Sequence, residues 1–131
     1  MKLLLDTCTF LWWIAEHPRI SGAAARAVRD ANNECWLSAA SVWEMLVKHR
    51  SARLDIDSGA QSAFDFLCEQ CRINRIELLP VLAADVRHVS QLPDIHRDPF
   101  DRLLICQAIE HGLTLVTPDG HIQRYPIRTL W

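Results

Sequence analysis

The chain has 131 residues, of which 50% are hydrophobic and 23% are charged, and its formal net charge is −2. These values are typical of one globular domain spanning residues 1–131, and they exclude disordered and collagen-like classes of protein. A protein that binds nucleic acid through overall charge alone would be much more basic, so such a role needs a local basic surface or metal ions. No apolar run approaches the ~20 residues of a membrane span and no signal-peptide pattern is present, so we expect a soluble cytoplasmic protein.

In the first half of the chain, short apolar runs alternate with helical patterns. Residues 2–5 are predicted to form a strand that ends at Asp6, and residues 8–15 an apolar, aromatic helix. Ser21 is a candidate N-cap for an alanine-rich helix over 23–30, which precedes a strand at 34–37. Ser38 or Ser41 then caps a helix that ends at about residue 50.

The second half continues the alternation. We predict a helix over 59–72, a strand over 76–79, a helix from 80 to about 90, a helix over 99–111, and strands over 113–116 and 127–131. The helix over 99–111 is the clearest, because Pro99 occupies its first position and Gly112 follows its end. Strands and helices that alternate in this way predict an α/β fold with a parallel sheet covered on both faces. Such sheets bind ligands at the carboxyl ends of their strands.

The cysteines do not form a metal or redox motif. Cys68 and Cys71 have suitable spacing, but they fall in a helical pattern whose apolar side would face the core, and no second pair completes four ligands. Five cysteines is an odd number, and a cytoplasmic protein keeps thiols reduced. We interpret all five as small apolar residues.

Five acidic residues occupy positions where the carboxyl ends of the predicted strands would meet. Asp6 ends the first strand, Asp119 follows the fourth by three residues, and Glu44 lies early in the helix after the second strand. Asp98 and Asp101 open the last helix. Carboxylates brought together repel one another, and a divalent cation such as Mg²⁺ relieves that repulsion. The chemistry that suits this arrangement is metal-assisted hydrolysis of a phosphodiester.

Structural roles are also open for most of these acids. Asp98 is a suitable N-cap, and Asp101 in the first turn complements the helix dipole. Glu44 can be an exposed acid of its helix, and Asp119 is an ordinary turn residue. Asp6 is the hardest to explain structurally, because it ends a buried strand. The residues alone leave a metal site and structural roles equally open.

Four segments in order resemble the motifs of PIN-domain ribonucleases, and in particular the VapC-type toxins of bacterial toxin–antitoxin pairs. The segments are 3–8 (LLLDTC), 38–45 (SAASVWEM), 96–105 (HRDPFDRLLI) and 115–119 (LVTPD). The resemblance implies a PIN-like three-layer α/β/α sandwich with a central, mostly parallel sheet. It also implies a Mg²⁺- or Mn²⁺-dependent endoribonuclease that acts as the toxin of a type II pair, forms a homodimer and binds a VapB-like antitoxin.

The same resemblance implies the metal ligands. Asp6, Glu44, Asp101 and Asp119 match the four acids of the family. Asp98 is an additional acid of the resembled subgroup, for which the roles of ligand, supporting residue and helix cap stay open. We count it among the catalytic residues and rank Asp101 above it for direct contact with the metal.

Several side chains near the acids are candidates for binding RNA. Arg97 and Arg102 flank the acidic helix and suit a phosphate held in two-point hydrogen bonds. Thr7 and Thr117 can hydrogen-bond an acid or a water molecule, although both also fit ordinary turns. Further candidate cations are Lys48, Arg50, Arg53 and Arg124. His96 is a loop histidine for which positioning of the substrate and no special role are both open, and this chemistry does not need it as a base.

The tryptophans predict a surface for a partner. Trp12 and Trp13 point about 100° apart around their helix, so one of them is not expected to reach the internal core. With Trp43, Leu46 and Val47, the outer one would form a groove for an antitoxin helix or peptide, since tryptophan is enriched in binding hot spots. Packing in the core alone is the alternative.

Other functions fit less well. A haloacid-dehalogenase-like phosphatase needs a second acid where Cys8 stands, and a receiver domain needs a suitably placed lysine, whereas the chain has only Lys2 and Lys48. A catalytically silent PIN-like module that binds RNA or protein remains the main alternative.

Overall fold

Strands and helices alternate along the computed structural model, which describes all 131 residues. The strands are β1 (Lys2–Leu5), β2 (Glu34–Ser38), β3 (Ile76–Leu79), β4 (Thr114–Val116) and β5 (Thr129–Leu130). The α-helices are α1 (Thr7–Ile14), α2 (Gly22–Arg29), α3 (Ala39–Arg50), α4 (Ala63–Ile73) and α5 (Pro99–His111). Two 3-10 helices cover Ala83–Gln91 and Ile122–Arg124. None of the helices combines the length and the apolar character needed to cross a membrane.

All five strands are parallel, in the order β3-β2-β1-β4-β5. Successive residues of the central strand β1 face opposite sides of the sheet. Leu3 and Leu5 pack with Phe10 in a core formed with α1 to α4, whereas Leu4 packs with Leu104 in a second core under α5. These two cores give three layers, which confirms the predicted α/β/α sandwich.

Side-chain caps define where the helices start. Ser21 accepts a hydrogen bond from the amide of Ala24, as predicted. Ser38 rather than Ser41 caps α3, because its hydroxyl accepts from the Ala40 amide at 3.1 Å. Gly112 ends α5 with a φ of 65°, a left-handed conformation that glycine adopts without strain.

Three predicted elements differ from the structure. The helix predicted over 59–72 begins at Ala63, because Gly59 has a φ of 61° and the Ser62 side chain caps the helix. Residues 80–90 do not form an α-helix; a 3-10 helix covers Ala83–Gln91, and the buried carboxylate of Asp85 holds its start by accepting from the Leu82 amide. Strand β5 has two residues rather than five, because only two residues of the short β4 pair with it.

The cysteines form no disulfide. Cys71 packs in the core under α4, as predicted, and Cys68 is only half-buried on the same helix. Neither belongs to a group of side chains that could hold a metal ion.

Candidate metal centre

A cavity of about 410 Å³ opens at the carboxyl ends of β1 and β4. In the sheet, β1 lies between β2 and β4, so the strand order extends from β1 in both directions. Parallel sheets bind ligands at the carboxyl ends of the strands where the order reverses in this way. All five acids singled out in the sequence line this cavity: Asp6, Glu44, Asp98, Asp101 and Asp119. The structure therefore brings together side chains from four separate segments of the chain.

Asp6 is buried at the base of the cavity and is held on both oxygens. Its Oδ1 accepts from the Thr9 amide at 2.8 Å, which caps α1, and its Oδ2 accepts from the Thr117 hydroxyl at 2.6 Å. Burial raises the pKa of Asp6, and the negative charge of Asp119 acts in the same direction. The hydrogen bonds from Thr117 and Thr9 lower the pKa but do not cancel the effect of burial.

Glu44 projects from α3 and is also buried. Its Oε1 accepts from the Thr7 hydroxyl at 2.6 Å, and its Oε2 lies 3.0 Å from Nζ of Lys48, one helical turn later. Lys48 lines the cavity and thus places one positive charge beside the acids.

Asp98 and Asp101 lie at the start of α5 and have different roles. Asp98 is the N-cap, since its Oδ1 accepts from the Asp101 amide at 3.0 Å. Asp101 points into the cavity, where its Oδ2 lies 2.8 Å from Nε2 of His96. Burial raises the pKa of Asp101 to about 6, and the charges of Asp98 and Asp6 add to this increase.

Thr117 connects the carboxyl ends of β1 and β4. Besides donating to Asp6, its hydroxyl accepts from the Asp119 amide at 3.0 Å. Asp119 in turn uses Oδ1 to accept from the amides of His121 and Ile122, and this leaves Oδ2 available to a ligand. Thr117 is fully buried and its hydroxyl holds an acid, which is one of the roles predicted for it. It does not line the cavity, so the structure gives no support to the predicted contact with substrate.

The predicted arginines lie elsewhere. Arg97 and Arg102 line a separate cavity of about 370 Å³ between α5 and the Ala83–Gln91 helix. The Arg102 guanidinium donates to the carbonyls of His96 and Val89, so it fixes the loop before α5. Neither arginine lines the acidic cavity, so their contact with a phosphate held at the acids stays a prediction. The cations that line that cavity are Lys48 and Arg53.

The residues of the predicted tryptophan groove lie in different surroundings in the structure. Trp12 lines the acidic cavity, whereas Trp13 packs against the core and donates from Nε1 to Asn74. Trp43 is 65% exposed on α3, and Leu46 packs partly against the core. Trp12 is therefore the outer tryptophan of α1, and Trp43 is the most exposed member of the predicted groove; the groove itself, with Leu46 and Val47, stays a prediction.

His96 also belongs to this site, although the sequence did not predict it as a metal ligand. The ligand atoms of His96, Asp101 and Asp119 all lie within 4.8 Å of one another. The only sequence signal was the position of the histidine five residues before Asp101, and the turn into α5 brings the two side chains together.

A protein-family model described as PIN domain matches residues 3–127. The chain belongs to the PIN-domain family. This PIN domain is 34% identical over 124 residues to Ribonuclease VapC22 of Mycobacterium tuberculosis, an alignment that covers 94% of this chain and 91% of that protein.

Solved structures have the same fold. One is VapBC2 from Rickettsia felis bound to a DNA fragment from their promoter, with a TM-score of 0.69, 17% identity and coverage of 99% of this chain and 98% of that chain. Another is DNA-bound VapBC from Salmonella typhimurium, with a TM-score of 0.67, 20% identity and coverage of 99% and 97%.

The acidic cavity of this PIN domain fits a divalent cation. Burial raises the pKa of Asp6 and Asp101, and the charges of neighbouring carboxylates act in the same direction. Carboxylate oxygens are the ligands that Mg²⁺ and Mn²⁺ prefer. A bound cation would favour the ionised form of both acids, since an opposite charge lowers the pKa of a carboxylate.

Proposed function

We propose that this PIN domain, over residues 1–131, is a Mg²⁺- or Mn²⁺-dependent endoribonuclease and the toxin of a type II toxin–antitoxin pair. The observation that carries the proposal is the convergence of five acids on one cavity, with raised pKa values at Asp6 and Asp101. The identity of 34% to Ribonuclease VapC22 supports RNA as the substrate.

Each side chain has a part in this proposal. Asp6, Glu44, Asp101 and Asp119 would hold the cation, and Asp98 keeps the start of α5 in place. A divalent cation supplies the positive charge that activates a water molecule and stabilises the departing oxygen of a phosphodiester.

The supporting contacts keep the acids oriented. Thr117 holds Asp6 and the backbone of Asp119, and Thr7 holds Glu44. Lys48 and Arg53 are placed to attract the RNA backbone to the cavity, because both cations line it. The indole of Trp12 lines the same cavity.

The function is tested by incubating the purified protein with single-stranded RNA after removal of metals with EDTA. We expect no cleavage in EDTA and recovery of cleavage with Mg²⁺ or Mn²⁺, because without the cation no water molecule is activated and the departing oxygen is not stabilised. Sequencing of RNA ends after brief expression in cells would identify the target. Undiminished cleavage in EDTA would contradict the metal mechanism, and no cleavage or metal binding at all would favour the catalytically silent binding module.

We also propose that a VapB-like antitoxin binds this PIN domain in the cytoplasm, as part of a complex containing a toxin homodimer. The observation in favour is an apolar surface on α3, where Trp43 is 65% exposed and Val47, one turn later, is 39% exposed. The chains of solved VapBC complexes share the fold.

The Trp43→Ala variant is expected to bind the antitoxin at least about 10-fold more weakly, because a buried tryptophan at an interface is often a hot spot. The probe is the product of the reading frame next to the toxin gene, titrated by calorimetry, with the mass of the complex measured by light scattering. RNA cleavage should stay at the wild-type rate. Phe64→Ala removes another exposed aromatic ring, from α4, and is the control; equal losses in both variants would contradict a specific role for Trp43.

A further inference from the structure

His96 is fixed at the edge of the acidic cavity by contacts on both its backbone and its ring. Its amide donates to the Tyr125 hydroxyl at 2.9 Å, and its carbonyl accepts from Arg102 at 3.3 Å. Its ring stacks on His121 with centroids 5.1 Å apart and planes inclined by 6°. These contacts present Nε2 to Asp101 at 2.8 Å. A loop histidine with no role would not need such restraint.

The spacing of the ligand atoms suits one cation. An octahedral ion with bonds of about 2.1 Å has neighbouring ligands about 3.0 Å apart and opposite ligands about 4.2 Å apart. The Nε2–Oδ2 distance of 2.8 Å between His96 and Asp101 is close to the first value. The atoms of His96, Asp101 and Asp119 all lie within 4.8 Å of one another, a separation compatible with ligands of one ion. Metal binding would replace the present hydrogen bond from Nε2 to Asp101, with the ring proton then on Nδ1 and the Nε2 lone pair directed at the ion.

We propose that Nε2 of His96 is a direct ligand of the cation held by Asp101 and Asp119, and that this nitrogen makes the site select transition-metal ions over Mg²⁺. The inference rests on the proposed metal-dependent function and specifies the metal class for that site. Mg²⁺ binds oxygen ligands, whereas imidazole nitrogen favours first-row transition ions, increasingly from Mn²⁺ to Co²⁺ and Ni²⁺. A centre made of carboxylates alone would lack this source of selectivity.

Pulsed electron paramagnetic resonance of the Mn²⁺-loaded protein tests the bond itself. Imidazole nitrogen bound to Mn²⁺ gives a ¹⁴N coupling, which we expect in the wild type and not in His96→Asn. His88→Asn is the matched control, because His88 also pairs with a carboxylate, at 2.6 Å from Glu110, but is not grouped with Asp101 and Asp119 as His96 is. The His88→Asn variant should keep the ¹⁴N coupling. Absence of a nitrogen coupling in the wild type, or its persistence in His96→Asn, would overturn the proposal.

Calorimetry tests the selectivity. We expect His96→Asn to bind Co²⁺ at least about 10-fold more weakly than the wild type, with a change of less than about threefold for Mg²⁺. Equal losses for the two ions would overturn the claim of selectivity. Both variants are first compared with the wild type by thermal unfolding, and His96→Gln replaces His96→Asn if the latter is not folded.

Neither measurement involves RNA. A nitrogen coupling in a protein that does not cleave RNA would therefore retain the ligand assignment and reject the proposed function. RNA cleavage by a protein without the nitrogen coupling would retain the proposed function and reject the ligand assignment.

Discussion

The Asp6→Asn variant is expected to lose RNA cleavage by a factor on the order of 10²–10³ while keeping its fold. Asp6 is the acid at the base of the cavity, and replacing it removes a negative charge that the cation needs. The fold survives because the asparagine oxygen can still accept from the Thr9 amide and cap α1. The amide nitrogen can donate to the Thr117 hydroxyl in place of the present hydrogen bond.

Cleavage of a fluorescent single-stranded RNA at saturating Mn²⁺ measures the effect, and circular dichroism checks the fold. Asp94→Asn is the control, because Asp94 is fully exposed in the loop before α5 and does not line the acidic cavity. It should cleave at the wild-type rate. Wild-type activity of a folded Asp6→Asn variant would contradict the assignment of the site.

The Asp101→Asn variant is expected to lose activity and, without metal, to be more stable than the wild type at pH 7.5. The predicted gain in the free energy of unfolding is about 1–3 kcal/mol, because burial raises the pKa of Asp101 to about 6. The unfolded chain ionises this group near pH 4, so ionisation favours unfolding as the pH rises. Asparagine removes that cost and can still accept a hydrogen bond from His96.

The pH dependence has a definite sign. The folded-state pKa of Asp101 lies above the unfolded value, so its contribution to stability is fully present below about pH 4 and is lost as the pH rises through about 6. The advantage of Asp101→Asn should therefore appear at pH 7.5 and disappear near pH 4. Urea unfolding of the metal-free proteins at both values measures this difference.

Metal addition separates the two effects of this substitution. Mn²⁺ should stabilise the wild type, because it binds the folded state, and should have little effect on Asp101→Asn. Asp65→Asn on the surface of α4 is the control for the loss of an acidic side chain in the first turn of a helix. A metal-free Asp101→Asn protein that is less stable than the wild type at pH 7.5 would contradict the electrostatic argument.

Local sequence signals predicted most of the fold. The apolar run before Asp6, Pro99 at the start of α5 and Gly112 at its end are each sufficient to place an element, because they act on the backbone within a few residues. The prediction of an α-helix over 80–90 was wrong because contacts with residues distant in the sequence shape this segment. Asp85 bonds to Gln107 and His111 of α5, and a contact of that range leaves no periodic pattern in the sequence.

The candidate site could be predicted as a set of acids but not as an arrangement. Asp6 and Asp119 follow strands, so a parallel sheet must bring them to one edge. The direction of each neighbouring side chain was not predictable in this way. Arg102 is one residue from Asp101, yet the rotation of about 100° per helical residue turns it towards the carbonyls of His96 and Val89.

The sequence by itself determined the alternation of strands and helices, the caps of α2 and α5, and which acids stand at strand ends, since each depends on residues close together in the chain. Only the tertiary structure decided that Thr117 is buried and donates a hydrogen bond to Asp6, and that His96 lies beside Asp101 and Asp119. It also decided that Lys48 and Arg53 are the cations that line the acidic cavity. The physical reason is that the direction in which a side chain points depends on packing between distant elements.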